Sequence, residues 1–287
     1  MEESNVKVIV NPYNFNNKLV TENDIKNILS TYEIDSNING LEVYQRAFIH
    51  KSYTKKAPED IGDDVTIADK PEGALELFNY DYERLEFLGD AVVSVVIAKY
   101  LYERYPNENE GFLTKMRTKL VNGEMLAFLS DKLNFGEFVI ISRHIEDKCD
   151  GRNSIHILED IFEAFIGAMF LDFNEIDNYN LLDNFYSGIG FQICEKFITH
   201  VIEEHVDFSE LIIKNTNYKE QLSRYFKNEL EGQLTFSEAR VDGGLVDRIF
   251  IIDVLDLENK IIATGSGKSK KKAEQNACKN ALVKLNL

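Results

Sequence analysis

The sequence has no long hydrophobic run. Its longest nearly continuous apolar stretch, residues 91–98, falls far short of the ~18–20 residues that span a bilayer, so no membrane span is expected. The opening Met1-Glu2-Glu3 lacks a positively charged leader ahead of an apolar stretch, which argues against a secretory signal. Cysteine is scarce: Cys149, Cys194 and Cys278 are odd in number and widely spaced. They support neither a disulfide framework nor a Cys-x-x-Cys zinc site, and a reducing, cytoplasmic setting is expected. Only 4 prolines occur, and there is no low-complexity tract and no repeat with a period of about 20–50 residues, which excludes a disordered chain or a solenoid.

What is present is a globular composition: 287 residues, 44% hydrophobic and 28% charged, a length that suits two domains. Lys and Arg number 32 against 49 Asp and Glu, for a net charge of −17, which as an average repels a polyanion. The average hides a split. Residues 217–287 hold 12 Lys and Arg against 10 Asp and Glu, leaving 20 against 39 for residues 1–216. Such asymmetry suggests separate tasks for the two ends.

Helical periodicity dominates residues 22–205, with Thr21 as N-cap for a helix over 22–32 and further helical patterns over 41–51, 82–105, 110–133, 156–171 and 189–205. A Gly- and charge-containing stretch, 142–153, interrupts them. Residues 54–79 turn acidic and contain Pro58, Pro71, Gly62 and Gly73, the marks of a long loop or inserted element. The tail changes character: 218–230 is helical, 234–241, 248–255 and 260–264 are extended, and 269–285 is helical. The expected architecture is a mainly α domain over 22–205 behind an amino-terminal arm (1–21), then a linker (206–216) and a small α+β domain of α-β-β-β-α order over 217–287.

The segment Glu83-Arg84-Leu85-Glu86-Phe87-Leu88-Gly89-Asp90 puts Glu83, Glu86 and Asp90 at i, i+3 and i+7, on one face of a helix. Three like charges on one stripe repel unless cations compensate, and hard divalent ions take oxygen ligands. A solvated acidic face is the other reading of this segment. The opposite face, Leu85, Leu88, Val92, Val95 and Val96, is expected in the core. A second pair, Asp160 and Glu163, lies at i, i+3 in an otherwise apolar segment, where a carboxylate needs a metal, a basic partner or a shifted pKa. Glu110 precedes Gly111 at a helix start, where it favours the helix dipole.

The segment 83–90 is similar to the ribonuclease III signature, and flanking pieces resemble the same family in the same order: Ala47-Phe48-Ile49-His50-Lys51-Ser52-Tyr53 before it, Glu110-Gly111-Phe112-Leu113-Thr114-Lys115-Met116-Arg117 after it, then Gly151-Arg152 and Asp160-Ile161-Phe162-Glu163-Ala164 through Leu171-Asp172. The resemblance covers about residues 22–205. It implies an endonuclease specific for double-stranded RNA, acting as a homodimer. Carried over by position, Glu86, Asp90, Asp160 and Glu163 are metal ligands for Mg²⁺, with Mn²⁺ as a substitute. Glu83 and Glu110 lie near the scissile strand, and Phe87 inserts into the partner subunit; read from the residues alone, Phe87 is equally an ordinary core aromatic. Paired cations of this kind activate water and stabilise the attacking and leaving oxygens, leaving 5′-phosphate and 3′-hydroxyl ends with short 3′ overhangs. His50 and His156 are read as structural. Arg152 is left between a phosphate contact and a partner for the acids.

At the other end, Gly265-Ser266-Gly267-Lys268-Ser269-Lys270-Lys271-Lys272 clusters lysines around a helix start with Ser269 as N-cap, a place that favours phosphate. Residues 217–287 resemble the double-stranded RNA-binding domain, most closely at 265–277, which implies RNA contacts from Lys268, Lys270 and Lys271 across an A-form groove. Three positions depart from that family: Ser223 and Arg224 in the first helix, and Asp247 in the loop between the first two strands. The expected function is a divalent-metal-dependent endoribonuclease of duplex RNA, in RNA processing or RNA degradation. The alternative is a protein of the same architecture that sequesters duplex RNA without cutting it.

Overall fold

The computed structural model of the chain describes residues 8–34, 37–55, 65–174, 189–213, 218–242 and 248–287. The chain forms two compact units, Met1–Phe208 and Ser209–Leu287. Among the described residues no helix is long and apolar enough to cross a membrane.

The first unit is built around α7 (Ile155–Phe173), buried at every residue from 161 to 169. A helix apolar on all sides has to lie at the centre of its domain. Phe165 on α7 gathers the rings of Phe135 (4.7 Å), Tyr44 (5.6 Å), Phe197 (5.7 Å) and Phe48 (6.2 Å), and such pairs contribute about 0.5–1.5 kcal/mol each beyond their buried area. The long helix α3 (Glu83–Arg104) packs along α7. Their backbones come close where two glycines face each other: a Cβ on Gly89 meets the Glu163 carbonyl carbon at 2.5 Å, and one on Gly167 meets the Leu85 carbonyl carbon at 3.0 Å. Of the apolar face expected on α3, Leu85, Val92 and Val96 are buried but Val95 is 56% exposed.

Helix α1 (Glu22–Thr31) starts with the expected cap: the Thr21 side chain accepts from the Asp24 amide at 3.2 Å, and the Asp24 carboxylate accepts from the Thr21 amide at 2.9 Å. The helix expected over 41–51 is shorter. Helix α2 (Leu41–Arg46) stops because the backbone turns away to pair with Ile140, which donates to Phe48 O at 2.8 Å and accepts from the His50 amide at 3.0 Å. A 3-10 turn, Lys51–Tyr53, follows. The expected helix over 110–133 divides into α4 (Glu110–Leu120) and α5 (Gly123–Lys132). Asn122 explains the break: its Oδ1 accepts from the Met125 amide at 3.0 Å to cap α5, while its Nδ2 donates to the Thr118 and Lys119 carbonyls at the end of α4. The stretch 142–153 is not irregular throughout, because Ser142 caps a short α6 (Arg143–Cys149).

The amino-terminal arm is part of the fold. Strand β1 (Val8–Val10) pairs in parallel with β2 (Val65–Ile67) of the acidic insertion, and Tyr13, Asn14, Asn17 and Val20 are buried. Asn17 mimics a strand partner for Ile141, donating to its carbonyl at 2.9 Å and accepting from its amide at 3.2 Å. Arg152 closes this junction. It donates to Asn17 Oδ1 (3.0 Å) and Val139 O (2.7 Å) and pairs with Glu146 at 3.1 Å. Arg152 pairs with Glu146 rather than with the acids of α3 or α7, and it ties the arm to the domain.

Helix α8 (Ile189–His205) packs on α7 and α3. The expected linker begins with buried Val206 and Phe208, and Phe208 opens α9 (Phe208–Ile213) with its ring against Tyr100 and under Arg104.

The second unit runs α10 (Tyr218–Glu229), β3 (Thr235–Asp242), β4 (Ile249–Leu255), β5 (Ile261–Gly267) and α11 (Lys270–Leu285), with the strands antiparallel in the order β3-β4-β5. This is the expected α-β-β-β-α order. Its core joins Leu222 and Phe226 of α10, Val254 of β4, and Ala277, Cys278, Ala281 and Leu282 of α11. Alanines on the inner face let α11 lie close to β5, where a Cβ on Gly265 meets Ala277 Cα at 2.6 Å. Asn276, Asn280 and Lys284 donate to the carbonyls of Ser266, Thr264 and Ile262 at 2.7, 2.8 and 2.8 Å. Alternate carbonyls of strand β5 are thereby satisfied, which blunts the edge against unwanted pairing.

Candidate active site and nucleic-acid interface

Three acids from each of two helices meet on one electrostatic face. Helix α3 contributes Glu83, Glu86 and Asp90, and α7 contributes Glu159, Asp160 and Glu163. Glu163 is only 9% exposed. Burial first, then the charges of Asp90, Glu159, Glu86 and Asp160, push its carboxyl up to about 8. Burial, then Asp160 and Glu83, push Glu86 up to about 7, against the pull of Lys51. Asp160 and Glu159 are raised as well, each by burial before any other cause. The Gly89–Gly167 approach brings the two acidic stripes together. With a larger residue at either position the helices must separate.

Around the acids lies a supporting layer. The Tyr82 hydroxyl donates to Asp160 Oδ2 at 2.8 Å, and Lys51 Nζ donates to Glu83 Oε1 at 2.9 Å. Both supports depend on residues 49–53: the Tyr82 amide donates to Ile49 O at 2.9 Å, the Tyr82 ring lies 5.8 Å from that of His50, and His50 Nδ1 accepts from the Ser52 amide at 3.1 Å. His50 is thus a structural cap. His156 is exposed, 3.8 Å from Glu159.

Glu159 was not among the acids expected from the sequence. It sits four residues before Glu163 on the same stripe, and that spacing was the available signal. Its carboxylate covers the start of α5, where a Cβ on Gly123 meets Glu159 Cδ at 2.7 Å. Glu110 begins a different helix, α4, and accepts from Thr114 Oγ1 at 2.7 Å.

The donor set suits a hard divalent ion. All six groups are carboxylates, the charges of neighbouring acids help to raise Glu86, Glu159, Asp160 and Glu163, and Glu163 is buried with no basic partner among the described residues. Among the described residues no group of three or more His, Cys, Asp or Glu side chains is arranged to hold a metal ion by itself. Carboxylate oxygens suit a hard divalent ion that completes its shell with water and substrate phosphate. Phe87, between Glu86 and Asp90 on α3, is 82% exposed.

In the second unit Lys268, Lys270 and Lys271 are all exposed at the start of α11. Ser269 caps the helix, accepting from the Lys272 amide at 3.2 Å, and Lys270 Nζ lies 5.9 Å from the centre of the Phe250 ring. Cations at the positive end of a helix oppose its dipole and one another, an arrangement that a bound anion relieves. Ser223 is exposed on α10, Arg224 pairs with Glu220 at 3.0 Å, and Asp247 lies outside the described residues.

Residues 83–174 match the Ribonuclease III domain, and residues 218–285 match the Double-stranded RNA binding motif. The chain is 32% identical over 254 residues to Ribonuclease 3 of Staphylococcus aureus, covering 88% of this chain and 89% of that protein. It is also 32% identical over 271 residues to the Probable ribonuclease 3 of Acanthamoeba polyphaga mimivirus, covering 93% of this chain but 46% of that longer protein. Among solved structures, a nuclease domain of ribonuclease III from Campylobacter jejuni is 27% identical with a TM-score of 0.46, covering 63% of this chain and 98% of that one.

Proposed function

The chain belongs to the ribonuclease III family, and from that premise we infer an endoribonuclease of double-stranded RNA whose cutting site is the acidic face of α3 and α7. Cutting is assigned to the first unit, of which the arm is a part, and RNA binding to residues 217–287 of the second. One observation carries the site assignment: two acidic stripes from separate helices share a face around the buried Glu163, which has no basic partner among the described residues.

Glu86, Asp90, Asp160 and Glu163 would hold Mg²⁺, with Mn²⁺ as a substitute. Bound there, the ions supply Lewis-acid polarisation of the phosphodiester and neutralise charge developing on its oxygens. The rest falls to the chain. Glu86 and Glu163, raised to about 7 and about 8, give up their protons when cations arrive, coupling metal binding to pH. Glu83 and Glu110 lie along the scissile strand. Lys268, Lys270 and Lys271 hold duplex phosphates, reading spacing across the groove rather than bases. Exposed Phe87 makes the contact with a second copy of the chain, and two such sites cutting opposite strands leave 5′-phosphate and 3′-hydroxyl ends with short 3′ overhangs. A protein that only sequestered duplex RNA would have no use for the acidic face.

The test is cleavage of a labelled long RNA duplex by wild type with Mg²⁺, wild type with EDTA, and Glu163→Gln with Mg²⁺, with binding measured on the same preparations. Cutting by the first alone, with binding by all three, is expected. Binding without cutting by wild type in both Mg²⁺ and Mn²⁺ would leave sequestration as the function.

A further inference from the structure

We propose that Tyr82 is a positioning residue for the acidic site: its hydroxyl holds the Asp160 carboxylate in the orientation that receives the divalent ion. The inference rests on the reading of the acids as the cation site and goes beyond it, because Tyr82 is no ligand itself.

The geometry is specific. Tyr82 is 2% exposed, and its hydroxyl donates to one carboxylate oxygen of Asp160, Oδ2, at 2.8 Å. That oxygen is engaged by a buried donor, which fixes the rotation of the carboxylate. Tyr82 has little freedom to release it. Its amide is tied to Ile49 O at 2.9 Å, its carbonyl accepts from the Glu86 amide at 3.0 Å at the start of α3, and its ring lies 5.8 Å from that of His50. A carboxylate among like charges tends to rotate away from them, and a buried donor on a fixed ring opposes this. Outer partners that orient a metal ligand in this way typically alter metal affinity by about 10–100-fold when removed.

The same helix supplies a matched control. Tyr44 is fully buried, and its hydroxyl donates at 3.1 Å to Asp172, also on α7. That carboxylate accepts from the Asn39 and Gly40 amides and is not among the acids of the site. Both Tyr→Phe changes remove one buried hydroxyl from one aspartate, and a purely structural role predicts the same outcome for each.

The experiment uses the full chain as wild type, Tyr82→Phe, Tyr44→Phe and Glu163→Gln. Mn²⁺ binding is followed by the resonance signal of the free ion, alongside melting temperature with EDTA or Mg²⁺ and the Mg²⁺ dependence of cleavage. Tyr82→Phe should bind Mn²⁺ about tenfold more weakly. It should gain less melting temperature from Mg²⁺ and need correspondingly more Mg²⁺ for half-maximal cleavage, with KM for duplex unchanged. Tyr44→Phe should melt lower in EDTA yet keep wild-type Mn²⁺ affinity. If Tyr82→Phe keeps wild-type Mn²⁺ affinity, or if both variants lose it equally, the positioning role is overturned while the cation site stands. If wild type shows no Mn²⁺ binding beyond that of Glu163→Gln, the cation site fails and the positioning role with it.

Discussion

Gly89 on α3 lies directly against the backbone of Glu163 on α7, so close that a Cβ on the glycine meets the Glu163 carbonyl carbon at 2.5 Å and the Gly167 nitrogen at 3.0 Å. Both obstacles are helix backbone, which cannot swing aside as a side chain can. One glycine therefore sets the spacing between the two acidic stripes.

Gly89→Ala should force the helices apart. Overpacking of this kind costs about 1–3 kcal/mol, and the separation should abolish cleavage while leaving the RNA-binding unit intact. Denaturant unfolding, cleavage and gel-shift binding test this together. A variant that unfolds like wild type and still cuts would contradict the proposed role of the close approach.

Metal-free stability should fall as pH rises. The folded chain holds protons on Glu86 up to about 7 and on Glu163 up to about 8, whereas the unfolded carboxyls release theirs near about 4.3. Over that interval the folded state binds more protons, so the stability contributed by these groups is complete below the unfolded value and is lost as pH passes through the folded values. Melting curves in EDTA at about pH 6 and about pH 9 should show the loss. Glu163→Gln should flatten it, and Mg²⁺ should restore the melting temperature at the higher pH. A metal-free melting temperature that climbs across this range would sink the argument from acid repulsion.

Replacing Lys270 and Lys271 by alanine should weaken duplex binding at every sequence and reduce the slope of log affinity against log salt by about 1 for each phosphate no longer engaged. Filter binding across a salt series gives that slope. An unchanged slope would show that these lysines do not touch the RNA backbone.

Phe87 is 82% exposed on α3, so the fold of one chain does not depend on its ring. Phe87→Ser should keep the wild-type circular dichroism spectrum and sediment as a lighter species than wild type at the same concentration. Equal sedimentation of the two would place the contact between copies elsewhere.

Several elements were legible from local pattern. Thr21 capped its helix, the order of the carboxy-terminal module was visible in alternating and helical periodicities, and the spacing of Glu83, Glu86 and Asp90 implied a shared face. Glu159 was passed over although it stands beside Asp160 and four residues before Glu163, because its burial comes from the fold and not from local pattern. The end of α2 was obscured because the competing interaction, pairing with Ile140, comes from a remote part of the chain. Val95 continued the apolar pattern of α3 yet faces outward, since periodicity reports a stripe and not how wide a neighbour covers it.

By itself the sequence determined the charge split between the two ends, the chemistry available to each, and the helices and strands on which the acids and lysines sit, because composition and periodicity are local properties of a chain. The tertiary structure alone decided that two acidic stripes on separate helices become one face, that Tyr82 and Lys51 each hold one of its carboxylates, and that Arg152 serves the arm rather than the site. Those relationships depend on which backbones approach closely enough to touch, and that is set by glycines and buried polar contacts between segments far apart in the chain.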